Sequence, residues 1–121
     1  MKLVLFNDYQ LGVLQDGQVK NAMGAFAGAN FGRPQDMMEE VITNWDQLKP
    51  KIEEAVSGAN GVPVNSVKLR APMPKPSKII CAAVNYLEFG QREPAILDAF
   101  LKSPSGIIST GETCELPPVP A

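Results

Sequence analysis

Residues 79–84, "IICAAV", run apolar without interruption, and the chain then turns polar at Asn85 and Tyr86, with Glu88 two positions on. A strand that ends in an amide, a phenol and a carboxylate gathers donors, acceptors and a negative charge at one edge. Histidine, the commonest general base and metal ligand, is absent from the chain. Chemistry within these 121 residues therefore draws on carboxylates, lysines, hydroxyls or backbone groups. A serine or cysteine triad built on histidine is excluded within this chain. The two cysteines, Cys81 and Cys114, form neither a CxxC pair nor a zinc spacing. Cys81 sits in the apolar strand and reads as a small core residue. Both thiols are expected to be reduced and non-catalytic.

Composition narrows the class of partner. Hydrophobic content is 45% and charged content 20%, ordinary for a soluble domain. Net charge is −2, and the 11 Lys and Arg are scattered singly, whereas a nucleic-acid surface needs a concentrated basic face. The six-residue apolar run is far short of the ~20 residues that a membrane helix needs. The opening "MKLVLFND" has four apolar residues before Asn7, where a secretory leader needs ~7–15. The expectation is a cytoplasmic protein that binds neither membrane nor nucleic acid.

The elements that position the polar strand end are legible in outline. "KLVLF" (2–6) is a strand, and "QLGVLQDGQVKNA" (10–22) a hairpin turning at Asp16-Gly17, so the first ~22 residues form a three-stranded meander. "MGAFAGANFGRP" (23–34) is a small-residue loop with no dinucleotide motif. A helix follows, started by Pro34 or Asp36, with Met37, Met38, Val41 and Ile42 on one face. A second helical face comprises Trp45, Leu48, Ile52, Ala55 and Val56. Its regular part is expected to begin at Pro50 and to stop at Gly58. The paired acids Glu39, Glu40, Glu53 and Glu54 read as solvated helix faces. "VKLRA" (67–71) alternates as a half-buried strand.

Prolines at 72, 74 and 76 make a stiff connector and a boundary. Beyond it "KIICAAV" reads as a strand buried on both faces. A briefly helical stretch around Ile96, Leu97 and Phe100 comes next. "SGIIS" (105–109) is a short strand, "TGE" (110–112) a turn and "TCEL" (113–116) another strand. A strand apolar on both faces needs covering layers, so the second part is expected to be incomplete or completed by another chain. The fold class is α+β, with a 1–71 domain, a 72–78 joint and a further unit over 79–121.

These motifs occur in an order that resembles the fumarylacetoacetate hydrolase family. Ala71-Pro72, Pro74, Pro76, Lys78 and Ile79 fit its proline-rich joint, and Asn85-Tyr86 its strand end. Phe100, Lys102, Pro104 and Ser105 fit the next element, and Gly111, Glu112, Leu116 and Pro117 the turn that follows. "KLVLF", "GVLQDGQV" and "VITNWDQL" are similar to the family's N-terminal elements. The resemblance implies that residues 79–121 begin a mixed β-roll that carries a metal-dependent hydrolase or isomerase. Its cofactor would be magnesium, manganese or calcium. Its substrate would be a small carboxylic acid bearing a β-diketo, 2-oxo or 2-hydroxymuconate-like group, as in aromatic catabolism, and its assembly a homodimer. The family's main metal ligands, an E-x-E pair and a later aspartate, match positions beyond Ala121, so the chain is expected to be a fragment.

The resemblance carries over residue by residue. Glu88 aligns with a metal-contacting acid of the fumarylacetoacetases and is the candidate metal ligand. Many members read N-Y-x-x-H, but Phe89 stands at the histidine position, which leaves Glu88 and Glu93 as candidate bases. Lys102 is the candidate for enolate or carboxylate stabilisation, against a surface lysine. Asn85 and Tyr86 either orient substrate or cap the strand. The rival expectations are a non-catalytic assembly module of the same lineage and a standalone α+β binding module.

Overall fold

The computed structural model describes residues 1–85 and 98–118. Strands β1 (Leu3–Phe6), β2 (Gln10–Gln15) and β3 (Gln18–Asn21) form the expected meander. Asp16 and Gly17 both take positive φ, 50° and 73°, as a two-residue hairpin turn of this hand requires. Two short strands extend the sheet. β4 (Val62–Pro63) joins β3, and β5 (Leu69–Arg70) joins β1, giving the antiparallel order β4-β3-β2-β1-β5. The pairing of β4 has no sequence signal, because two residues show no period. Pro63 is tolerated there because an edge strand has one unpaired side that needs no N–H donor.

Helix α1 (Pro34–Thr43) starts at Pro34, whose missing N–H is no loss in a first turn. Arg33 contacts Asp36 at 2.5 Å and holds that carboxyl below its usual range, chiefly by the hydrogen bond between the side chains. Met37, Met38 and Val41 are buried, but Ile42 is 60% exposed, which corrects the expected face. At roughly 100° per residue, Met37, Val41 and Met38 fall about 0°, 40° and 100° around the helix. Ile42 falls at about 140°, beyond the buried seam.

Helix α2 (Trp45–Ser57) begins five residues before Pro50, which lies inside it. The Asn44 carbonyl accepts the N–H groups of Gln47 and Leu48, so the first turn closes before the proline arrives. An interior proline costs about 3 kcal/mol. Leu48 and Ile52 flank it and bury almost completely, which offsets that cost. Between the sheet and the helices lies one core of Leu5, Leu11, Val13, Met37, Val41 and Ile52 with their neighbours. The 23–34 stretch is partly ordered as a 3₁₀ turn at Met23–Phe26, and Phe26 meets Phe31 edge-on at 5.0 Å.

The chain divides into two compact units, Met1–Pro74 with Ile108–Ala121, and Lys75–Ile107. The division falls within the proline-rich stretch. In the second unit β6 (Ile79–Ala82) pairs antiparallel with β7 (Ala99–Lys102), in the register Ile79↔Lys102 to Ala82↔Ala99. Three expectations are corrected here. β6 is not buried on both faces: Ile80 is 67% exposed and its cross-strand partner Leu101 69%, as follows from a two-stranded ribbon. Phe100 lies in β7 and not in a helix, while Ile96 and Leu97 lie outside the described residues. "SGIIS" and "TCEL" form no strands. Pro104–Gly106 is a 3₁₀ turn, and Ile107-Ile108 have β-branched side chains but no partner strand to pair with among the described residues. Cys81 is half-buried, Cys114 is exposed and both are free thiols. Among the described residues, no helix is long and apolar enough to cross a membrane.

The two isoleucines of the helices test this packing directly. Ile52→Ala is expected to lower unfolding free energy by about 2–5 kcal/mol in chemical denaturation. Ile42→Ala is expected to change it by less than about 0.5 kcal/mol.

Candidate functional site

Of the residues singled out in the sequence, Asn85 and Lys102 are described, and both belong to the second unit. Tyr86, Glu88, Phe89 and Glu93 lie outside the described residues. The Ala83 N–H donates to the Asp98 carbonyl at 2.8 Å and extends the β6–β7 ladder by one bond. Val84 then takes φ 48°. A β-branched side chain is strained in this left-handed region, at a cost of order 1–2 kcal/mol. The turn ends the strand there and leaves Asn85 exposed.

Lys102 stands at the other end of the ribbon. It is opposite Ile79, whereas Ala82, three residues before Asn85, is opposite Ala99. Three strand steps, ~10 Å, separate those pairs, so the two candidates are not brought together. Lys102 is exposed, and its Nζ stands 5.9 Å from the Phe100 ring centroid. That is the outer limit of a cation–π contact, and the ammonium stays available to another partner.

The described residues do not fit a metal centre. Among them no group of three or more Cys, Asp or Glu could hold an ion. Glu112, which the sequence placed in a turn, is already engaged. Its Oε2 accepts the Ser109 N–H at 2.8 Å, and its Oε1 lies 3.4 Å from Lys68 Nζ. The Ser109 hydrogen bond and the Lys68 contact hold its carboxyl below the usual range. Sequence reasoning missed the contacts of this turn because Lys68 and Glu112 are 44 positions apart and share no local period. A concavity of about 570 Å³ in the first unit lies among Lys2, Val13, Lys20, Glu53 and Val56. None of the candidates lines it.

No family profile matches the chain. Maleylpyruvate hydrolase of Aquipseudomonas alcaligenes is 30% identical over 87 residues, which make up 71% of this chain and 30% of that protein. The structure of maleylpyruvate hydrolase from Sphingobium sp. SYK-6, in complex with manganese(II) and pyruvate, aligns at 32% identity and a TM-score of 0.70. The match covers 89% of this chain and 39% of that one. A second structure of the Sphingobium hydrolase gives 30% identity and a TM-score of 0.71. A structure from Mycobacterium smegmatis that bears the HpcE name covers 97% of this chain at 21% identity and a TM-score of 0.65, a likeness of fold alone. The chain thus spans less than half the length of each of these proteins.

Val84 gives this region a stability test. Val84→Asn, which accepts positive φ more readily, is expected to raise stability by about 1 kcal/mol in thermal unfolding. An unchanged or lower midpoint contradicts strain at this residue.

Proposed function

We propose, for a chain whose relatives bear out its resemblance to the fumarylacetoacetate hydrolase family, that the protein is a hydrolase of small diketo acids in aromatic catabolism, of the maleylpyruvate type. The observation that carries this reading is the shared sequence and fold with a hydrolase seen holding manganese and pyruvate. In the proposed reaction a water oxygen bonds to a substrate carbonyl carbon. The adjacent carbon–carbon bond breaks, and its electron pair leaves as an enolate that takes up a proton as pyruvate.

Each candidate residue has a part in this proposal. Glu88 or Glu93 takes the proton from water, and Asn85 and Tyr86 orient the substrate carboxylates. The exposed Lys102 ammonium offsets negative charge on the leaving enolate, a contribution that is largest in the transition state. A divalent ion, magnesium, manganese or calcium, belongs to the proposal with Glu88 as its contact in this chain. The described residues form no centre for it. The reading also takes 1–71 as an N-terminal domain, 72–78 as the joint and 79–121 as the start of a β-roll, in a cytoplasmic homodimer.

The test uses the complete gene product that contains this chain. Folded protein with manganese or magnesium is expected to release pyruvate from maleylpyruvate, and a chelator to abolish that release. Lys102→Met is expected to lower kcat by roughly 10²–10³ with less effect on KM, as for loss of one charge-stabilising donor. Folded, metal-replete protein that releases no pyruvate would overturn the proposal.

A further inference from the structure

The first unit is built from two separate stretches of chain, which meet where residues 109–112 return to residues 68–71. The meeting is specific. Ser109 is only 8% exposed, and its Oγ accepts the Ala71 N–H at 3.2 Å. The Ser109 N–H donates to Glu112 Oε2 at 2.8 Å, and the Glu112 N–H donates back to the Ser109 carbonyl at 3.1 Å. Gly111 takes φ 81°, which lets the turn close this tightly. Lys68 Nζ lies 3.4 Å from Glu112 Oε1.

We propose that Ser109 and Glu112 form a clasp that pins the returning chain to the β5 edge, holds together the two ends of the excursion from Ala71 to Ser109, and opens without unfolding the sheet. Its surroundings favour local opening. Ile108, Thr110 and residues 111–118 are exposed, so release uncovers little apolar surface. The residues it contacts, Lys68 and Ala71, flank an edge strand of only two residues. The exposed ion pair contributes little by itself. The Ser109 N–H bond and the buried hydroxyl therefore carry the clasp.

The clasp is acid-sensitive in one direction. The charged groups that face the Glu112 carboxylate are Lys68 and, more weakly, Arg70, both on the β5 side. The Ser109 N–H and these cations lower its pKa below the ordinary 4.5. A group with a depressed folded-state value stabilises fully above its ordinary value, and that stabilisation is lost as pH falls through the lower one. The clasp is closed at neutral pH, and the contribution of the Glu112 carboxylate to it is lost as pH falls through that depressed value.

Amide exchange read by nuclear magnetic resonance on the intact chain tests the proposal. Glu112→Ala, which removes the acceptor of the Ser109 N–H, is expected to speed exchange at Ser109 and Ala71 on the order of tenfold, with the β1–β2 amides unchanged. Ser109→Ala is expected to speed Ala71 alone. Wild-type rates at Ser109 and Ala71 in Glu112→Ala would overturn the clasp, as would acceleration of the β1–β2 amides in step. Should that variant fail to fold, wild-type exchange at Ser109 and Ala71 serves instead. Opening free energies below those of the β1–β2 amides support the clasp, and equal ones overturn it.

Discussion

Asn7 joins the two ends of the N-terminal unit, and most of the structure depends on that join. Its N–H donates to the Lys68 carbonyl at 2.8 Å, and its side-chain oxygen accepts the Lys68 N–H at 3.0 Å. Its carbonyl accepts Arg70 Nε at 2.6 Å. These bonds seat β5 beside β1 across a sequence separation of 61 positions. Closing so long a loop adds only about 0.6 kcal/mol for each doubling of its length, a cost that a few hydrogen bonds and a shared core can exceed. The helices α1 and α2 lie in the sequence between β3 and β5, and their apolar seams meet Leu5, Leu11 and Val13. Asn7 holds φ 49° to make the join, a conformation that asparagine accepts more readily than most residues.

The residues proposed for chemistry are built differently. Lys102 and Asn85 sit on a two-stranded ribbon with its apolar Ile80–Leu101 pair in the open. Among the described residues no buried cluster includes them, and Lys102 stands at the far end of the ribbon from Ala82, three residues before Asn85. The well-packed unit and the candidate chemistry are thus separate parts of the chain. The chain leaves the first unit at the β5 edge and returns to that same edge at Ser109.

Legibility followed the range of the interactions. The meander and its Asp16-Gly17 turn were readable because strand alternation and turn chemistry are local, and so was the start of α1 at Pro34. Pro50 misled because a local rule about helix breaking yielded to burial of Leu48 and Ile52. Ile42 misled because it follows Val41 by one position yet passes the edge of the seam. β4, the Asn7 join and the Ser109–Ala71 bond left no trace in the sequence, since each links residues many positions apart. "KIICAAV" reads as fully buried by composition, but burial is a property of what lies over a strand. The described residues place nothing over Ile80.

Native-state hydrogen exchange at increasing denaturant tests the role of the Asn7 join most directly. If β5 is integral to the first unit, the Asn7 and Lys68 amides exchange only through global unfolding. Their opening free energies then converge with those of the β1–β2 amides. Exchange at Asn7 and Lys68 through a denaturant-independent local opening, while β1–β2 stays protected, would contradict the account.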